Sequence, residues 1–102
     1  MKPEATEENE MGFVVEELTL DMARQLKLES ASGVVIREVV PNSPAARAGL
    51  VSGMLILEIN RQPIRSIRDF NQAAAQIRLE EGILLLVGIE GSARYITIKA
   101  RD

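Results

Sequence analysis

The 102-residue chain has no cysteine, no histidine and no tryptophan, and its aromatic residues are one Tyr and two Phe. Without His or Cys, neither a Ser-His-Asp nor a Cys-His nucleophilic site can be assembled. The usual ligands of zinc are also missing, and no Asp-rich calcium loop is present, so no metal or other cofactor is expected. Disulfides are excluded, although the lack of Cys does not fix a compartment. No basic stripe exists and few rings are available for stacking, which disfavours nucleic-acid binding. The apolar run Ile83–Ile89 is too short to span a bilayer. Gly88-Ile89-Glu90-Gly91 lacks the Lys-Ser/Thr of a phosphate loop. The adjacent acids Glu16/Glu17 and Glu80/Glu81 read as solvated surface groups, and nothing marks out a Ser-Lys pair. Met1-Lys2-Pro3 leads into acids rather than an apolar signal segment, so the chain is expected to be cytosolic or a piece of a longer exported protein. These absences favour a binding module over an enzyme.

What is present suits one folded domain. Hydrophobic residues make up 46% and charged residues 26%, ordinary globular values that imply an aliphatic core. Residues 1–9 are polar and acidic and read as a linker, with the domain over residues 10–102. Lys2 against Glu4, Glu7, Glu8 and Glu10 already gives the first ten residues the whole formal charge of −3. The spacing predicts a strand at Phe13–Glu17, a helix over Thr19–Leu28 capped by Thr19, and a strand at Val34–Val40. Ser43, Pro44 and Gly49 punctuate a short helix at both ends. Met54–Asn60 alternates, with Leu55, Leu57 and Ile59 on one face. A turn over Asn60–Pro63 leads to a brief strand at Ile64. Ser66 and Asp69 cap an amphipathic helix to Arg78, with Ile67, Phe70, Ala73, Ala74 and Ile77 on its stripe. Strands at Ile83–Ile89 and Tyr95–Lys99 close the chain around a turn at Glu90–Ala93.

Four segments carry more specific information: Glu10-Met11-Gly12-Phe13-Val14; Gly33–Val39; Pro41–Leu50 followed by Gly53 and Leu55–Asn60; and Gln62-Pro63-Ile64 with Ile67, Phe70, Ala74 and Ile77. Together they resemble a PDZ domain of the bacterial HtrA/DegP type, over about residues 10–100, and the final strands are similar to the last PDZ domain of such chains. The resemblance implies a mainly β fold with α (α+β): a five- to six-stranded, partly open barrel capped by two helices plus one short helix. It further implies a peptide-binding domain of a trimeric periplasmic serine endopeptidase acting in protein quality control. The partners would then be peptides or misfolded-protein C-termini and neighbouring protomers, with no nucleic acid and no membrane insertion. Two alternatives stay open: an assembly or gating module with little peptide affinity, and a PDZ domain of another bacterial protease or secretion protein.

A groove of this family takes an extended peptide as an added strand and holds its terminal carboxylate on backbone N–H groups. The expected peptide-binding residues are Met11, Gly12, Phe13, Val14 and Val15, facing Phe70, Ala74 and Ile77; by periodicity alone the last three read as core residues, and it is the resemblance that implies the groove role. Gly12→Val and Phe13→Asp are expected to remove groove binding and spare the fold. Three departures from the family matter. Met54 replaces the usual Asp. Arg61 replaces the usual Gly, which points to a turn of another type. Glu7, Glu8 and Glu10 precede the loop where a base is common, which predicts weak, salt-dependent recognition. Phe70 in place of His predicts an apolar ligand residue rather than Ser or Thr at the third position from the end, and the small Ala74 leaves room for Val, Leu or Phe at the last.

Overall fold

The computed structural model describes residues 11–25, 33–89 and 91–99. The linker expected over residues 1–9 and the expected end of the first helix, Leu26–Leu28, fall outside them. The elements are β1 (Phe13–Glu17), α1 (Leu20–Gln25), β2 (Val34–Val39), α2 (Pro44–Ala48), β3 (Leu55–Ile59), β4 (Gln62–Pro63), α3 (Ile67–Ala74), a 3-10 turn (Leu79–Glu81), β5 (Ile83–Ile89) and β6 (Ser92–Ile98). The sheet is antiparallel in the order β1-β2-β3-β5-β6, with β4 paired to β3. Strands β1 and β6 do not pair with each other, so the barrel is open as expected.

The local signals act where they stand in the sequence. Thr19 Oγ1 accepts the Met22 N–H at 3.1 Å and caps α1. Ser43 accepts from the Ala46 N–H, Pro44 fills the first turn of α2, and Gly49 stops it at φ +97°. Ser66 Oγ accepts the Asp69 N–H at 3.2 Å, while Asp69 accepts the Arg65 N–H at 3.0 Å. That is a capping box shifted by one residue on its return arm.

Several expectations are corrected, among them the brief strand expected at Ile64, which stands at Gln62–Pro63 as β4, inside the expected turn. The alternation of β3 is broken by a register irregularity between Ile56 and Glu58. Ile59 therefore packs in the main core with Ile56, while Leu55 and Leu57 belong to the second cluster. The helix α3 ends at Ala74, short of Arg78. Its end tightens into 3-10-type bonds, Gln76 N–H to the Ala73 carbonyl at 3.1 Å and Ile77 N–H to the Ala74 carbonyl at 3.4 Å. The β3–β4 turn keeps left-handed residues despite Arg61: φ is +49° at Asn60 and +70° at Arg61, the pair a two-residue type I′ hairpin requires. Asn60 is anchored outside the turn, donating its N–H to the Leu84 carbonyl at 2.7 Å and accepting the Leu84 N–H on Oδ1 at 2.9 Å. Those bonds hold Asn60, the first residue of the turn, against β5. Finally, β6 begins at Ser92, within the expected turn, because Ile89 already pairs with Ser92.

The main core joins Met11, Phe13 and Val15 to the inward residues of β2, β3, β5 and β6, with Ile67, Phe70 and Ala73 of α3. A smaller cluster of Leu18, Ala23, Val35 and Leu55 lies under α1. Among the described strands β1 stands at one end of the sheet, beside α3, with a loop at its start that packs on α2.

Candidate functional site

Met11-Gly12-Phe13 enters β1 through a bend at Gly12, where φ is +92°. Its carbonyls are fastened from behind. The Ala45 N–H donates to the Met11 carbonyl at 2.8 Å, and the Val40 N–H donates to the Gly12 carbonyl at 2.8 Å. Ser43 Oγ adds a longer bond to the Gly12 carbonyl, 3.4 Å. Both peptide bonds are trans, so each N–H lies opposite its carbonyl. The N–H groups of Gly12 and Phe13 are therefore directed away from α2. Two successive N–H groups presented on one side of a bend form a concavity suited to an anion.

Among the described strands, β1 pairs with β2 alone. Its other edge lies beside α3, and the two meet where the Phe13 and Phe70 rings pack edge to face, centroids 6.0 Å apart at 67°. The expected site residues divide by burial. Met11, Phe13 and Val15 are fully buried and Phe70 is 2% exposed; Val14, Ala74 and Ile77 are half-buried. What Met11, Phe13 and Val15 offer a ligand is backbone. Phe13→Asp would place an unpaired charge in the core, and Gly12→Val would drive a side chain into Ser43, so neither variant spares the fold. Ile77 lies past the end of α3 and lines a hollow of about 90 Å³ with Ile59, Asn60, Gln62, Ala73 and Gln76.

Ser43, Ala45 and Val40 are the residues that sequence reading passed over. Ser43 was legible only as a helix cap, since its contact with Gly12 spans 31 positions and leaves no local signal.

A model of the PDZ domain matches residues 35–87, just over half of the chain. The chain belongs to the PDZ domain family. Over 93 residues it is 36% identical to a probable periplasmic serine endoprotease, DegP-like, of Chlamydia muridarum, covering 90% of this chain and 18% of that protein. Over 94 residues it is 35% identical to a DegP-like protein of Pseudomonas putida, covering 92% and 19%. This PDZ domain thus spans about a fifth of the curated relatives it matches. Among solved structures it is similar to the HtrA-type protease AlgW with decapeptide, with a TM-score of 0.75, 33% identity, and coverage of 87% of this chain and 27% of that one. The HtrA3 PDZ domain bound to a phage-derived ligand has a TM-score of 0.72 at 22% identity, covering 96% and 88%, a likeness of fold.

Proposed function

We propose that this PDZ domain is the peptide-binding module of a periplasmic HtrA/DegP-like serine endoprotease, taking exposed hydrophobic C-terminal or extended segments and delivering them for cleavage in protein quality control. The observation that carries the reading is the bend at Met11–Phe13. Its two N–H groups face away from α2 at the start of an edge strand that has a helix alongside. A peptide carboxylate would accept from those N–H groups while the preceding residues add to β1 as an antiparallel strand. Met11, Gly12, Phe13, Val14 and Val15 act through backbone, the half-buried Ala74 and Ile77 offer apolar surface, and Phe70 backs that wall from the core. The names of the DegP-like relatives and the decapeptide in the AlgW structure support the same reading.

A titration of the isotopically labelled domain with a peptide ending in Val or Leu tests it. Amide shifts are expected along residues 11–15 and on α3. Shifts confined to β5 and β6 would sink the proposal. They would instead favour the second reading, contact between protomers of an oligomeric parent, which the exposed Tyr95 (54%) and Ile89 (40%) of the β5–β6 hairpin support.

A further inference from the structure

Among the described residues, Ser43 is the one buried polar side chain, 8% exposed. Its hydroxyl is engaged twice, accepting the Ala46 N–H at 3.1 Å and donating to the Gly12 carbonyl at 3.4 Å. Its Cβ stands directly behind the bend: a Cβ added to Gly12 would lie 2.1 Å from Ser43 Cβ and 2.5 Å from Oγ. The same cap starts the turn from which the Ala45 N–H reaches the Met11 carbonyl at 2.8 Å. Helix capping alone requires only the bond to Ala46; the contacts to Gly12 are additional and point at the loop.

We propose that Ser43 is a positioning residue for carboxylate capture: through Gly12 and Ala45 it sets the direction of the Gly12 and Phe13 N–H groups, and so the preference for a free C-terminus over an internal or blocked one. This rests on the proposed peptide-binding role of the Met11–Phe13 bend. Two trans peptide planes hinge at Gly12, a residue with wide conformational freedom. Among the described residues, the groups that hold their carbonyls are the Val40 and Ala45 N–H groups and the Ser43 hydroxyl. Without the hydroxyl and Cβ of Ser43, the Gly12 carbonyl loses a donor and the bend gains room to rotate. Rotation turns the Phe13 N–H off the carboxylate and leaves strand addition along β1 intact.

The test measures the affinity of one hydrophobic-ended peptide as free acid and as C-terminal amide, in the unsubstituted domain and in Ser43→Ala and Ser43→Gly. Glycine is tolerated as a helix cap at little cost, so Ser43→Gly removes the side chain while α2 stays capped. The acid-over-amide ratio is expected to fall about fivefold in both variants, the size of one hydrogen bond's contribution, while amide affinity changes less than twofold. A folded Ser43→Gly domain that keeps the full ratio overturns the proposal. So does an equal loss of acid and amide affinity, the signature of a purely structural role. If the unsubstituted domain binds acid and amide equally, carboxylate capture at the Met11–Phe13 bend itself fails, and if it binds neither, the peptide-binding reading fails.

Discussion

Replacing Gly12 by alanine probes the packing behind the bend, and Gly49 provides the control. Both glycines have nearly the same backbone, φ +92° at Gly12 and +97° at Gly49. Alanine in that region costs about 1–2 kcal/mol at either site. The surroundings differ. A Cβ at Gly49 meets nothing within 4 Å, whereas one at Gly12 overlaps Ser43. Ser43 cannot simply swing aside, because the overlapping atom is its own Cβ and α2 starts there. Relieving the overlap shifts backbone, an overpacking cost of about 1–3 kcal/mol. Gly12→Ala should therefore lose about 2–5 kcal/mol and Gly49→Ala about 1–2 kcal/mol. For a domain of this size each kcal/mol lowers Tm by roughly 4–8 °C, so thermal unfolding followed by circular dichroism resolves the difference. If the two variants lose the same Tm, the bend is not braced by Ser43 and the reasoning fails.

Other outcomes follow from the same geometry. A double-mutant cycle on Phe13→Leu and Phe70→Leu, measured by urea unfolding, should give a coupling of about 0.5–1.5 kcal/mol for the edge-to-face pair; a coupling near zero removes that contact from the account. Arg61→Gly should stabilise the domain by about 0.5–1 kcal/mol by relieving a left-handed residue in the β3–β4 turn. A loss of stability would mean that the turn differs from type I′. From the sequence alone, with Glu7, Glu8 and Glu10 preceding the bend, affinity for a free-acid peptide should rise about twofold between low and high salt as like-charge repulsion is screened. A fall with salt would instead indicate a basic approach to the site.

Features written in neighbouring residues were legible in the sequence. Ser43, Pro44 and Gly49 bound α2 as their side chains and backbone freedom dictate, and Ser66 with Asp69 starts α3. The full motif pattern from Met11 to Ile77 led to the PDZ fold. What was not legible depends on distant partners. The bulge in β3 arises from its pairing with β5, so clean alternation misassigned Ile59. The apolar stripe of α3 runs on to Ile77, but the backbone leaves the α-helix after Ala74 without any Gly or Pro to mark the exit. Phe13 and Val15 alternate as a strand should, yet whether that face meets a ligand or the core depends on where Phe70 comes to rest. The brace on the bend is longer-ranged still, since Val40 and Ser43 reach Gly12, and Ala45 reaches Met11, from beyond another strand.

The proposed function requires the bend at Gly12 to present N–H groups to a carboxylate. Calorimetric titration of the unsubstituted domain with one Val- or Leu-ended peptide, as free acid and as amide, tests it most directly. Hydrogen bonds to a charged acceptor contribute about 1.5–3 kcal/mol, so the acid should bind at least about tenfold tighter. Equal affinity for the two forms, or binding of neither, would contradict the account.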